Sequence, residues 1–266
     1  MTDSPFLIAS RDISGACKRH VLVGVLGWQD IRQRYRRSAL GPFWLTISMG
    51  VMIGTMGIVF GRIFKSPMQE FLPFLSIGII FWGFISTIIT EACTGFIAAE
   101  SIIKQLPIPL FVHILRMLWR NIIIIGHNII IFPLVLIAVG KPIGLIALLS
   151  IPGFILLTIN LTWISLILAV VCTRYRDLPQ IIASLIQIIF YLTPIIWMPK
   201  TLPENAGFYL LDFNPVYHLI EIVRAPLLGQ LPTANDWIIS TALGLFGSIV
   251  AINFYGTYKR RIAYWL

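Results

Sequence analysis

Carboxylates are scarce in this chain: 11 Asp and Glu in 266 residues, with charged residues of both signs making up only 12%. The middles of its long apolar runs hold almost none of them. A carrier driven by protons or sodium ions needs an ionisable group at that depth, so this scarcity argues against one. No Gly-x-x-x-x-Gly-Lys-Ser/Thr phosphate loop occurs, which removes any argument that the chain hydrolyses ATP by itself. The four histidines, His20, His113, His127 and His218, form no i,i+4 pair and have no Cys, Asp or Glu at ligand spacing, so no metal centre is expected. The three cysteines, Cys17, Cys93 and Cys172, are odd in number and widely spaced. They read as reduced thiols rather than a disulfide framework. Residues 1–10 lack the basic start and apolar core of a cleavable signal peptide. Asp12, Asp30, Glu91, Glu100 and Asp177 do not group as the carboxylates of a catalytic site would.

What the chain has in abundance is apolar surface. Hydrophobic residues make up 58% of it and the mean hydropathy is +0.88. A water-soluble domain of this size could not hide that much, so the class is an all-α polytopic membrane protein, a single transmembrane domain over 1–266. The formal net charge of +9 suggests nucleic acid at first sight. Most Lys and Arg, however, flank apolar spans, as topology signals do.

Six spans are expected within 38–61, 71–90, 121–140, 142–173, 178–199 and 237–258, each long enough for a hydrocarbon core about 30 Å thick, which takes roughly 20 helical residues. The fourth window is too long for one upright span, so part of it must tilt, project or form the turn after Lys141-Pro142. The junction that sets orientation is Arg32-Gln-Arg-Tyr-Arg-Arg37, which stops at a Gly-Pro and is followed by 24 uncharged residues. Arginine is costly in hydrocarbon and favoured beside anionic headgroups, which places this cluster on the cytoplasmic side. Both termini then lie inside, with fifteen Lys and Arg on the cytoplasmic face against five outside.

Between and before the spans, four stretches stand out. Residues 15–37 carry Val21, Val25, Trp28, Ile31 and Tyr35 at helical spacing with most charges off that line, the pattern of an amphipathic helix in the interface plane. An ordinary cytoplasmic tail helix would look similar. Residues 98–106 can form a short cytoplasmic helix ended by Pro107 and Pro109, either a docking knob for a soluble partner or a plain turn. Asp177 sits where a cap would open the fifth span, with Pro179 in its first turn. The external loop over 200–236 is long yet apolar and aromatic, and short helices within 205–228 that dip into or lie on the outer leaflet fit it best. Glu221 and Arg224 can pair there on one helix face. Aromatics such as Trp44, Phe81, Trp82 and Tyr191 suit either a membrane-interface belt or a path on which sugar rings stack. His127 with Asn128 in the third span is the polar group that stands out, and an interhelical hydrogen bond is its expected role.

Three motifs in register, Arg34-Tyr-Arg-Arg-Ser-Ala-Leu-Gly-Pro-Phe-Trp44, Arg176-Asp-Leu-Pro179 with Phe190-Tyr-Leu-Thr-Pro-Ile-Ile-Trp197, and Asn214-Pro-Val-Tyr-His-Leu-Ile-Glu-Ile-Val-Arg224, resemble the transmembrane subunit of type-2 ABC exporters of cell-surface polysaccharide. That family covers O-antigen, capsule and teichoic acid permeases, and the likeness is greatest to the O-antigen branch. It spans essentially the whole chain. The resemblance implies a homodimer with a separate ATPase beneath each subunit, and no cofactor in this chain, ATP and magnesium belonging to the ATPase. It implies a polysaccharide on undecaprenyl diphosphate, moved from the cytoplasmic to the outer side of the bacterial inner membrane, without covalent chemistry.

In that picture 15–37 is a gate helix, with Arg32, Arg34, Arg36 and Arg37 at the lipid-phosphate entrance. Trp44, Phe81, Trp82 and Tyr191 line the channel. Glu100, Ser101, Lys104 and Gln105 couple to the ATPase, and Tyr209, Phe213, Tyr217, Glu221 and Arg224 form an external gate of re-entrant helices. An ABC exporter of a drug or small lipid, or a membrane enzyme acting on polyprenyl-linked sugars, is the alternative. Replacing Arg34, Arg36 and Arg37 together with Gln is expected to cut export while leaving ATPase binding intact. Unchanged export in a correctly inserted triple variant would reduce these arginines to topology markers.

Overall fold

The computed structural model describes residues 4–36, 43–201 and 211–266. Arg37, Tyr209, the Gly-Pro junction and most of the first expected loop helix lie outside the described residues. Among those described, the chain is helical with no strand. In order come α1 (Pro5–Lys18), α2 (His20–Arg34), α3 (Phe43–Ile63), α4 (Met68–Cys93), α5 (Glu100–Gln105), α6 (Phe111–Asn128), α7 (Ile131–Val139), α8 (Ser150–Arg174), α9 (Leu178–Leu192), α10 (Pro215–Leu227) and α11 (Ala234–Trp265).

Helix α4 is the axis of the bundle. Of its most apolar stretch 67% is buried, against 11% for α3, and α3, α6, α7, α8, α9 and α10 all pack on it. Its sequence is apolar on every side, which is what a helix surrounded by others requires. On one flank α8 and α11 pair closely, pinned where Asn160 Nδ2 donates to the carbonyl of Ser240 across the interface at 3.0 Å while Trp163 Nε1 donates to Asn160 Oδ1 at 3.1 Å. Polar groups in an apolar bundle hold helices together this way because no water competes for them.

Among the described residues, five helical stretches are long and apolar enough to cross a membrane: Phe43–Ile63, Met68–Cys93, Phe111–Val139, Leu145–Arg174 and Ala234–Trp265. The third begins ten residues ahead of the window expected from charge. His113, Arg116 and Arg120 did not end it because protein side chains answer both arginines, so the charges fold into the helix instead of marking a loop. In the fourth window a 3-10 turn over Leu145–Leu149 precedes α8 and takes up the excess length. The last helix is also longer than expected, opened by a capping box between Thr233 and Asp236.

The fifth window differs most. Helix α9 ends at Leu192, and its 15 residues reach only about 22 Å, short of a hydrocarbon core of about 30 Å. Pro194 pushes Thr193 into an extended conformation (φ −92°, ψ 134°), and the chain leaves the helix and runs on past Gly78 towards Glu70 at the start of α4, which pairs with Lys200. The Asp177 side chain makes no capping hydrogen bond, so Pro179 alone marks that start.

The N-terminal amphipathic stretch is two helices, broken at Arg19, and it starts at Pro5 rather than at residue 15. Helix α2 buries Val23, Gly27 and Ile31 against α6 and leaves Val21, Val25 and Trp28 exposed. A Cβ at Gly27 would stand 2.8 Å from Trp119 Cδ1 and 3.2 Å from the Arg116 carbonyl, so glycine permits this approach. Helix α1 lies on α11 and is fastened by Asp12. Its buried carboxylate accepts from the Phe111 amide (3.0 Å), the Tyr255 hydroxyl (2.7 Å) and Lys259 Nζ (2.7 Å). Asp12→Ala strips three donors of their acceptor, and a loss of about 3 kcal/mol is expected, to be read as a lowered thermal midpoint in detergent beside an exposed control such as Asp177→Ala.

Candidate functional site

At the end of the bundle that carries Arg34, an ion network joins α2, α4 and α6. Asp30 accepts from Arg116 through Nε at 2.7 Å and through Nη2, and from Arg120 Nη1 at 3.1 Å. Arg120 Nη2 and Asn121 Nδ2 each donate to Glu91 at 2.6 Å, and Arg34 Nη2 lies 3.6 Å from the same carboxylate. Asp30 and Glu91, which do not group in the sequence, are therefore brought together through Arg120. Both are committed to arginines, which suits a strut and leaves neither free for acid–base chemistry.

Beside the network is a cavity of about 430 Å³, lined on its polar side by Arg34, Tyr35, Thr87, Asn121 and Asn128. The Tyr35 hydroxyl is buried and has no hydrogen-bond partner among the described residues. Burial pushes its phenol above the ordinary tyrosine range, with Arg34 opposing, so it stays a proton donor. Tyr35 was read in the sequence only as part of an apolar line; its neighbours among the arginines were the available signal. Arg32 and Arg36 are exposed on the same turns. Asn128 accepts from Thr46 Oγ1 of α3 at 3.2 Å, the interhelical bond expected of it, whereas His127 bonds within its own helix to the Ile123 carbonyl.

A second cavity, about 450 Å³, lies between α3, α4 and α9. Met49, Met52 and Met56 form one wall, and Trp82, Phe190 and Tyr191 an aromatic one, with Ser86 and Gln187 between them. The Trp82 and Phe190 rings are 5.5 Å apart and those of Phe190 and Tyr191 5.3 Å. Met49 and Gly83 border both cavities, which adjoin along α4. On α9, Gln180, Ser184, Gln187 and Tyr191 recur at i, i+4, i+7 and i+11 and are all exposed, a polar stripe on an otherwise apolar helix. Two of the four expected channel aromatics, Trp82 and Tyr191, thus share the groove. Phe81 does not: it is buried on another side of α4 with its ring 6.2 Å from that of Phe154, as core packing. Trp44 is exposed at the start of α3 and lines neither cavity.

Helix α5 presents Ser101, Lys104 and Gln105 outward and half-buries Ile102 and Ile103 beneath it. Lys104 Nζ donates to Glu100 at 2.6 Å and holds that carboxyl below the usual carboxylate range. At the other end of the bundle, Arg224 of α10 is fully buried. It donates to Glu221 at 2.5 and 2.9 Å and to the Pro194 carbonyl at 2.5 Å, with its guanidinium carbon 4.1 Å from the Phe74 ring centroid. One side chain thereby ties α10 to α4 and to the stretch after α9. Asn214 caps α10 and donates to Thr193, while His218 meets Asp236 of the α11 capping box at 2.6 Å. Tyr217 is partly buried and Phe213 exposed. Burial, then the nearby Glu221, raises the Tyr217 phenol well above its ordinary value.

Among the described residues the multi-pass helical chain thus holds a polar and an aromatic cavity that adjoin along α4. The chain belongs to the ABC-2 type transporter family, which it matches over residues 21–228. It is therefore a membrane-spanning transport subunit, not an enzyme, and works with an ATPase partner. It is similar to the O-antigen export system permease protein RfbA of Klebsiella pneumoniae, 23% identical over 91% of this chain and 93% of that one. The protein of the same name from Myxococcus xanthus is 23% identical over 82% and 84% of the two chains. The polysialic acid transport protein KpsM of Escherichia coli is 24% identical over 81% and 84%.

Arg224→Ala should leave the Pro194 carbonyl and Glu221 without their donor and cost about 3 kcal/mol. The loss should appear as faster amide exchange confined to residues 193–198 and α10. Uniform exchange across the bundle would contradict its role as a clamp.

Proposed function

We propose that this chain is the permease half of an ATP-driven exporter that moves an O-antigen-type polysaccharide, linked to undecaprenyl diphosphate, from the cytoplasmic to the outer side of the inner membrane. The observation that carries this reading is the pair of adjoining cavities running from Arg34 and Tyr35 to Trp82, Phe190 and Tyr191, in a chain similar to O-antigen and polysialic acid permeases. The cluster of Arg32, Arg34, Arg36 and Arg37, with the Tyr35 hydroxyl, offers donors to a diphosphate; arginine forks match phosphate oxygens and gain strength where water is scarce. The aromatic wall offers faces to the C–H faces of sugar rings, while Gln187 and Ser86 can exchange hydrogen bonds with passing hydroxyls. Several weak, sequence-tolerant contacts of this kind let a polymer slide rather than stick.

The chain acts as a homodimer in this reading, with six passes per subunit and both termini cytoplasmic. Helix α9 has no buried residue and α3 few, so a second copy has apolar faces to cover. The short α9 completes its crossing with the stretch that follows it, and the loop helices, α10 among them, enter the outer leaflet as an external gate with Tyr209, Phe213, Tyr217, Glu221 and Arg224. ATP and magnesium are bound on the ATPase. When two ATPases close on ATP, Glu100, Ser101, Lys104 and Gln105 of α5 receive the movement. The strut from Glu91 of α4 through Arg120 of α6 to Asp30 carries it to the gate helix α2 as a rigid-body switch between two packings.

Depleting the protein in its native cell and fractionating lipid-linked glycan by membrane side tests the reading. Polymer trapped on the cytoplasmic side with synthesis intact is expected. Loss of the polymer itself points to an enzyme on polyprenyl-linked sugars, and an unaltered glycan profile to a small-substrate exporter.

A further inference from the structure

A third cavity lies away from the proposed glycan path and shares no lining residue with the groove between α3, α4 and α9. It holds about 270 Å³ between the last turns of α8 and α11. Val170, Val171 and Phe254 form its apolar floor, and Tyr258, Trp265 and Arg174 its mouth. The Arg174 guanidinium carbon sits 5.2 Å from the Tyr175 ring centroid and 5.3 Å from that of Trp265, and Arg261 lies 5.9 Å from Tyr258. Neither Arg174 nor Arg261 forms an ion pair among the described residues, unlike Lys259 on the same helix, which Asp12 satisfies. Arg176 donates to the Trp265 carbonyl at 3.4 Å and senses Glu100, so it is less available.

We propose that this cavity is a binding site for an anionic phospholipid. A guanidinium laid against an aromatic ring keeps its N–H edge free, and that edge matches the oxygens of a phosphodiester. Trp and Tyr settle at headgroup depth, and basic pockets between spanning helices are where anionic headgroups lodge. Just below the basic mouth the wall turns apolar, as the first methylenes of an acyl chain require. The space is too small for a whole lipid, so the headgroup and the start of one chain are what it takes. The unpaired arginines are what single out an anionic lipid from a zwitterionic one. The argument needs only the membrane edge and does not depend on which side of the membrane this end faces, nor on what the chain exports.

The test is native mass spectrometry of the full chain released from nanodiscs of equal phosphatidylglycerol and phosphatidylcholine. Preferential retention of phosphatidylglycerol is expected. R174Q/R261Q should lower that preference about fivefold per arginine removed. R260Q changes a neighbouring exposed arginine that faces no aromatic wall of the cavity and should leave the preference unchanged. V171F, which fills the floor with both arginines in place, should lower retention as well and serves if the double variant inserts poorly. Equal retention of the two lipids by the unaltered chain, or a loss in R260Q as large as in R174Q/R261Q, would overturn the proposal.

Discussion

Charge inside an apolar bundle is tolerated only where another side chain answers it, and the arrangement of this protein follows from how that condition is met at three places. Asp30, Glu91, Arg116 and Arg120 satisfy one another across α2, α4 and α6. Asp12 collects donors from α6 and α11 onto α1. Arg224 does the same at the far end for α10, α4 and the stretch after α9. Each is a buried or half-buried charge with at least one partner from another part of the fold, so losing that partner strands the others at a cost much larger than that of an exposed pair. Where hydrophobic contact discriminates poorly between one helix and another, such pairs select the register.

The same constraint separates the rigid part of the molecule from the part left to others. Helices α4, α8 and α11 are tied by buried side chains and polar bonds, whereas α3 and α9 meet the rest of the chain on narrow faces. The aromatic cavity lies between α4 and these loosely held helices, where walls can separate without breaking the ion pairs, whereas the polar cavity is bordered by Arg34 and Asn121 of the ion network. Helix α2 is both joined to the strut and exposed along Val21, Val25 and Trp28, so it can respond to lipid on one side and to α6 on the other.

Some of the site was legible in the residues. Glu221 with Arg224 three positions on and the short helix before Pro107 rest on local spacing, which survives folding unchanged, and the interhelical bond of Asn128 follows from a polar side chain placed inside an apolar span. Phe81 shows the limit: an aromatic one position from Trp82 points to another side of the helix, and only its packing against Phe154 tells which side is core. The charges at Arg116 and Arg120 mark a loop when read along the chain and lie inside a helix once Asp30 and Glu91 are supplied from 86 to 90 and 29 residues away. Tyr35 became a candidate donor only when its hydroxyl was found buried and unpaired.

The sequence by itself determined the class, the approximate place of most apolar stretches, and the family. Those depend on composition, on runs of about 20 apolar residues and on motifs in fixed order. Tertiary structure alone decided which helix became the axis, where α9 stopped, which aromatics share a groove and which arginines have no ion-pair partner among the described residues. Each of these depends on partners distant in the chain, and an apolar helix carries too little pattern on its surface to announce which neighbour it will meet.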